Sequence, residues 1–156
     1  MSARERTAAK SGAAAHQRPP VPEEAGPRKK IDAAPLEDLI SKRNFDEAYR
    51  QYVHGIGSDA RAEVSAVVER RLGDHFLEKG DLEKAARILE HHVATHSSEE
   101  IEPVTYFNLG YLYFRSKTLN KSRRYFRMFV ERHKDPVQVD RARKLLQRLD
   151  KVQNLN

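Results

Sequence analysis

The sequence predicts an all-α fold in which a pair of helices is repeated about three times behind a disordered N-terminal tail. The first observation is a fixed period, because "RNFDEAYRQYV" at 43–53 is matched by "GDLEKAARILE" at 80–90, 37 residues later. The second is the spacing of the apolar residues, whose intervals of 3, 4 and 7 place them on one helical face. The third is a change of composition near residue 34.

Residues 1–34 form the predicted tail. They include four of the seven prolines, and between Met1 and Ile31 the largest apolar side chain is Val21. Such a segment cannot bury enough apolar surface to offset the entropy lost on ordering. The run "PRKK" at 27–30 is interpreted as a solvating linker, with a small basic docking or targeting patch as the alternative.

Each unit then repeats a large, a small and a large side chain on one helical face. The aligned sets are Phe45, Ala48 and Tyr52, then Leu82, Ala85 and Leu89, then Leu119, Ser122 and Phe126. Upstream, a leucine and a glycine recur in the second and third units. A small side chain on that face allows a neighbouring helix to come close. Each unit is therefore predicted to be two packed helices.

Seven helices are predicted, at 35–43, 45–55, 59–79, 81–96, 103–116, 119–133 and 136–152. Ser58 is expected to cap the third, Gly80 and Asp81 to separate the third from the fourth, and Asp135 to cap the last. The repeat domain of residues 35–152 then divides into units at about 35–58, 59–98 and 103–135. The helix at 136–152 carries an apolar stripe and is expected to cover the end of the array.

The residues of the second and third units resemble the tetratricopeptide repeat (TPR) family over about residues 35–139. The resemblance is carried by Leu72, Gly73, Phe76, Gly80, Asp81, Ala85 and Leu89, and by Leu109, Gly110, Tyr113, Ser122 and Phe126. The period departs from the family's value of about 34 residues. The first unit departs as well, because Leu36 stands where the glycine would be. The resemblance implies an α-solenoid of helical hairpins.

It also implies that the first helix of each unit lines a concave groove that binds peptides. Carried over by position, the groove residues are Val67, Arg70, Asp74 and Leu77, then Val104, Phe107, Tyr111 and Phe114, then Arg141, Lys144 and Arg148. Asn108 stands where some members of the family bind a terminal carboxylate. A complete carboxylate clamp is not predicted, because Arg70 and Asp74 replace its lysine and asparagine.

Positive charge is concentrated in the last third of the chain, where residues 103–156 hold 13 Lys and Arg against 4 Asp and Glu. This favours a partner with an acidic segment. A nucleic-acid-binding protein is the rival, because "KSRRYFRMFVERHK" at 121–134 interleaves arginines with rings. Phe126 and Phe129 occupy packing positions, however, so the rings are predicted to be core residues.

No catalytic, cofactor or metal site is predicted. His92 and His96 are separated by one helical turn, but together with His91 they are interpreted as solvated residues at a helix end. The absence of cysteine removes thiolate chemistry, and the dispersed glycines form no phosphate loop.

No stretch of the sequence is apolar enough for a membrane span, so a cytoplasmic location is expected, with a mitochondrial transit peptide as the less favoured alternative. The sequence thus predicts a non-enzymatic adaptor or scaffold that binds protein or peptide segments. Two alternatives remain open, a chaperone of the same family type and a nucleic-acid-binding protein.

Overall fold

Seven α-helices form the structure, a computed structural model that describes residues 26–57 and 59–153. No β-strand occurs within these residues, so the all-α prediction is confirmed for them; the only extended pairing in them is an isolated bridge between Lys30 and Glu63. The expected cap Ser58 lies outside the described residues. The helices are α1 (Ala34–Ser41), α2 (Phe45–Ile56), α3 (Ala66–Lys79), α4 (Leu82–Thr95), α5 (Pro103–Arg115), α6 (Leu119–Arg132) and α7 (Pro136–Gln153).

Side-chain caps and one glycine fix several helix ends. The Asp81 carboxylate accepts a hydrogen bond from the Lys84 amide at 3.2 Å and begins α4. Gly80, in the left-handed conformation with φ 77°, ends α3 just before it, where a side chain would be strained. Asp135 accepts from the Val137 amide at 2.9 Å at the start of α7. The predicted breaks at Gly80, Asp81 and Asp135 are therefore confirmed.

Helix α3 begins at Ala66, whereas the sequence predicted a start at 59. The segment before it makes a turn at 60–61, after which Glu63 pairs with the chain near Lys30 through backbone hydrogen bonds. The Glu63 amide donates to the Lys29 carbonyl at 2.7 Å, and the Ile31 amide donates to the Glu63 carbonyl at 2.9 Å. Ala62 and Val64 are buried. The segment thus contributes to the core without being helical, and the predicted start was wrong.

The last residues of the predicted N-terminal tail, which ends at residue 34, lie in the described part of the chain. Residues 1–25 lie outside the described part of the chain, but from Arg28 onwards the segment contacts the helices. The Arg28 guanidinium donates to the Thr95 carbonyl at 2.9 Å, and Lys29 Nζ donates to the Gly55 carbonyl at 3.0 Å. Ile31 packs against the core. Two cations of the "PRKK" run therefore donate hydrogen bonds to backbone carbonyls of α2 and α4, while the four residues of the run remain exposed.

The 37-residue register is visible in the core. The three small residues Ala48, Ala85 and Ser122 are fully buried, and so are the large residues one turn later, which are Tyr52, Leu89 and Phe126. The two glycines explain how closely the helices pack. A Cβ on Gly73 would lie 2.4 Å from Leu89 Cδ2, and one on Gly110 would lie 2.7 Å from Phe126 Cδ1. Each glycine therefore accommodates the large residue of the following helix.

Helices that follow one another in the chain form contacting pairs, most extensively α3 with α4 and α5 with α6. The leading helix α3 also contacts α1 and α5. Helix α7 packs against α6 and buries Ala142 and Leu149 of its predicted apolar stripe, together with Val139, which was not predicted. The stripe residues Leu145 and Leu146 are partly buried, whereas Val152 is 46% exposed. None of the helices in the described residues has the length and apolar character needed to span a membrane.

Candidate functional site

The outer side of α5 exposes large apolar side chains. Val104, Tyr111 and Phe114 are 45, 42 and 39% exposed, and their spacing places them along one side of the helix. We call these three residues the α5 face. Val67 on α3, one period before Val104, is 51% exposed. Single exposed apolar residues are ordinary, but two exposed rings along one helix are informative because aromatic side chains gain most from burial.

Phe107 belongs to the same row by sequence, but it is only partly exposed. Its ring makes edge contacts with Phe126 and Phe129 of α6, with centroids 5.4 and 5.2 Å apart. The Arg141 guanidinium of α7 lies 5.7 Å from the Phe107 ring centroid. One side of the Phe107 ring therefore packs against the core, and the other lies near the Arg141 guanidinium.

Two of the predicted polar residues of the groove bind each other, and the third pairs with Glu102. Asn108 Nδ2 donates to Asp74 Oδ1 at 3.3 Å, and Arg70 forms an ion pair with Glu102. Burial raises the pKa of the Asp74 carboxyl above its ordinary value of 3.8, with the Arg70 charge opposing this and the Glu78 charge adding to it. These contacts join α3 to α5 beside the α5 face.

The three predicted cations of α7 are exposed, and one of them is placed against α5. Arg141 reaches Phe107, whereas Lys144 pairs with Asp140 one turn earlier at 2.7 Å. That exposed pair contributes little to stability because water screens both charges. Arg148 lies exposed one turn beyond Lys144. Of the predicted groove residues, Asp74 and Asn108 thus contact each other, and Arg141 contacts Phe107. Arg70 pairs with Glu102 instead.

A second feature is a buried cluster of one carboxylate and three histidines between α3 and α4. The sequence-based interpretation of these histidines as solvated was wrong, since His92 is 2% and His96 6% exposed. Glu69 of α3, whose side chain is fully buried, accepts hydrogen bonds from all three imidazoles. Tyr52 of α2 donates to Glu69 Oε1 at 2.8 Å. The cluster therefore connects three helices through one carboxylate.

The hydrogen bonds fix the charge of Glu69. Burial alone would raise the pKa of its carboxyl, but the bonds from His91, His92 and Tyr52 outweigh burial and hold this pKa at about 2. Burial and the neighbouring Glu69 charge raise the pKa of Tyr52, whose hydroxyl therefore stays protonated and donates. At neutral pH the core of the second unit contains an ionised carboxylate surrounded by donors.

The periodicity contained a signal for this burial that the spacing of the histidines alone did not give. His92 precedes Phe129 by one period, and Phe129 was itself predicted to be a core residue. Glu69 lies three and seven residues before Leu72 and Phe76, on the packing face of α3. A charged residue on a packing face is unusual enough to mark a site.

A cleft of about 140 Å³ opens beside the cluster, lined by Ala66, Val67, Arg70, His92, Glu100 and Glu102. His92 is the member of the cluster that reaches it. Glu100 lies at the cleft as well, with Oε2 4.0 Å from His96 Nδ1. The cleft therefore connects the buried histidines with the surface that also carries Val67 and Arg70.

No protein-family model matches the chain, and a search of curated proteins finds none that is similar to it.

Proposed function

We propose that this protein is a non-enzymatic TPR-type adaptor or scaffold, which binds an acidic peptide segment with an apolar anchor along α3, α5 and α7. The α5 face is the observation that carries the proposal. Exposed rings recognise partners well, because they bury a large apolar area and lose little side-chain entropy. The same surface would serve a chaperone that holds a partner protein.

The positive charges beside the α5 face favour a partner with an acidic segment. Arg141 lies over Phe107, and Lys144 and Arg148 continue from it along α7, all three exposed. Opposite charges on a partner would be attracted to this end of the surface and would set its orientation. Tyr111 and Phe114 then take the apolar anchor, while Phe107 contributes through its exposed side only.

The nucleic-acid alternative is less favoured, because the rings of residues 121–134 are not available for base stacking. Phe126 and Phe129 are buried as predicted, and Tyr125 is buried with them. Arg123 is buried too, and it donates to Asp150 at 2.9 Å and to the Leu149 carbonyl at 3.2 Å. Base stacking requires exposed rings. A polynucleotide could still use the exposed rings Tyr111 and Phe114 and the exposed positive charge, and binding through that charge weakens steeply with salt.

The test is a peptide-display selection against the full chain, followed by fluorescence polarisation with an enriched peptide. We expect enrichment of Asp or Glu next to an aromatic or aliphatic residue. Tyr111→Ala together with Phe114→Ala should weaken binding by about 2 kcal/mol, or roughly 30-fold in Kd. Val137→Ala, which also removes an exposed apolar side chain but on α7, is the control and should leave Kd unchanged.

Two results would contradict the proposal. One is equal binding by the double variant and the control. The other is a selection without acidic enrichment, combined with tight binding of a polynucleotide that disappears between low and physiological salt.

A further inference from the structure

The buried cluster has the dimensions of a metal-coordination shell. Glu69, His92 and His96 each offer one ligand atom, and these atoms lie within 4.8 Å of one another. Glu69 Oε2 is 3.2 Å from His92 Nδ1 and 2.9 Å from His96 Nε2. Zinc bonds of about 2.0–2.2 Å in a tetrahedron require ligand atoms roughly 3.4 Å apart, so small side-chain movements would suffice.

We propose that Glu69, His92 and His96 bind a divalent transition-metal ion of the zinc class. Two imidazoles and one carboxylate are a ligand set that suits zinc, and they leave a fourth coordination position open. His92 and His96 come from successive turns of α4, and Glu69 comes from the facing helix α3. Each imidazole would bind in the tautomer whose ligating nitrogen is unprotonated, with its proton moved to the other ring nitrogen.

The surroundings of the three ligands support the proposal. Metal-binding carboxylates are oriented by further hydrogen bonds. Here the second oxygen of Glu69, Oε1, is held by the Tyr52 hydroxyl and by His91 Nδ1. The other nitrogen of His91, Nε2, is buried and has no hydrogen-bond partner among the described residues. A buried polar atom of this kind is rare in purely structural networks.

The cleft supplies an approach and a place for a fourth ligand. It reaches His92 from outside and is large enough for a water molecule. Glu100, which lines it, provides a carboxylate near His96. A metal ion would also place positive charge beside the fully buried Glu69 carboxylate, which has no lysine or arginine among its hydrogen-bond partners. This inference does not depend on the peptide-binding proposal.

The experiment uses the full chain, purified and treated with a chelator that is then removed. Zn²⁺ is titrated by calorimetry, and Co²⁺ by visible absorption, which reports tetrahedral coordination. We expect one ion per chain, and a melting temperature that rises with free Zn²⁺ because the ion binds only the folded site. His92→Gln and His96→Gln should abolish the saturable isotherm. His54→Gln, an exposed histidine on α2, is the matched control and should bind as the wild type does.

Tyr52→Phe tests whether Glu69 is an oriented ligand of the metal ion or whether the two histidines bind the ion without it. It removes the hydrogen bond to Glu69 Oε1 and leaves the three ligands in place. Affinity for Zn²⁺ should fall by about 10- to 100-fold, as for other partners of metal ligands. An unchanged affinity would contradict the proposed role of Glu69 in the site.

A measurement on the wild type keeps the proposal falsifiable if the histidine variants do not fold. In ¹⁵N spectra of the imidazoles, Zn²⁺ should shift the ring nitrogens of His92 and His96 at one equivalent and leave those of His54 unchanged. Absence of saturable binding, or Zn²⁺ shifts confined to other histidines, would overturn the proposal. The cluster would then be a hydrogen-bond network only.

Discussion

At positions one period apart, the second unit buries ionisable groups where the third unit buries aromatic rings. Glu69 and His92 correspond to Tyr106 and Phe129, and all four are buried. The leading helices show the same difference on the side that carries the α5 face, since the half-buried Asp74 of α3 corresponds to the exposed Tyr111 of α5. The small residues that set the distance between helices recur in both units, as Gly73 and Gly110 and as Ala85 and Ser122. The repeat thus fixes the backbone spacing and leaves the chemistry of each unit free.

The largest effect is expected from Glu69→Ala, which removes the carboxylate that Tyr52 and the three histidines of the cluster share as an acceptor. Three imidazoles and Tyr52 would lose their partner inside the protein, which costs about 3–5 kcal/mol when a buried charged group is involved. Thermal unfolding in the presence of a chelator should show a fall in melting temperature of roughly 10 °C or more. Glu83→Ala, on the exposed side of α4, is the control. A difference no larger than that of the control would mean that the cluster does not form.

Unfolding measurements can also distinguish a core ring of the third unit from a surface ring. Phe107→Ala should destabilise the fold by about 2 kcal/mol, because the ring packs against Phe126 and Phe129. Tyr111→Ala should change the free energy of unfolding by less than about 0.5 kcal/mol, because the ring is exposed. Denaturant unfolding of the two variants measures both changes in the free energy of unfolding. Equal losses would place Tyr111 in the core and remove it from the α5 face.

The glycines test whether the two units share one spacing. Gly110→Ala and Gly73→Ala should each destabilise by about 1–2 kcal/mol, since the new methyl group overlaps Phe126 or Leu89 and the better helix propensity of alanine offsets only part of this. Gly26→Ala, where a Cβ would meet nothing within 4 Å, is the matched control. Chemical unfolding measures all three. Wild-type stability of Gly110→Ala would show that the 37-residue register does not describe the packing.

The smallest expected effect concerns pH and Asp74. Because its pKa in the folded state is raised, mainly by burial, the protonated carboxyl is favoured there. Its contribution to stability is present below the ordinary value of 3.8 and is lost as the pH rises through the folded pKa. Asp74→Asn keeps the acceptor for Asn108 and does not titrate. The melting temperature of the wild type relative to this variant should therefore fall from pH 3 to pH 7.

Glu83→Gln, an exposed change on α4, controls for the general effect of removing one negative charge. A constant difference between wild type and Asp74→Asn across this range would contradict the burial of Asp74.

The sequence by itself determined the helical pairs, their period and most of their core. Leu72, Ala85, Leu109 and Phe126 are buried because side chains spaced at 3 and 4 residues share one face, a property of the helix that needs no tertiary information. The ends at Gly80 and Asp81 followed in the same way from local backbone chemistry.

Only the tertiary structure decided which of the remaining residues meet. Arg28 donates to Thr95, and Glu63 exchanges backbone hydrogen bonds with Lys29 and Ile31, and these long-range contacts place residues that the sequence assigned to a linker and to the start of a helix. Glu69 and His96 are separated by 27 residues, yet the antiparallel packing of α3 and α4 brings their side chains to 2.9 Å. Periodicity assigns a residue to a face, but the partner on the opposite face depends on how two helices are set against each other.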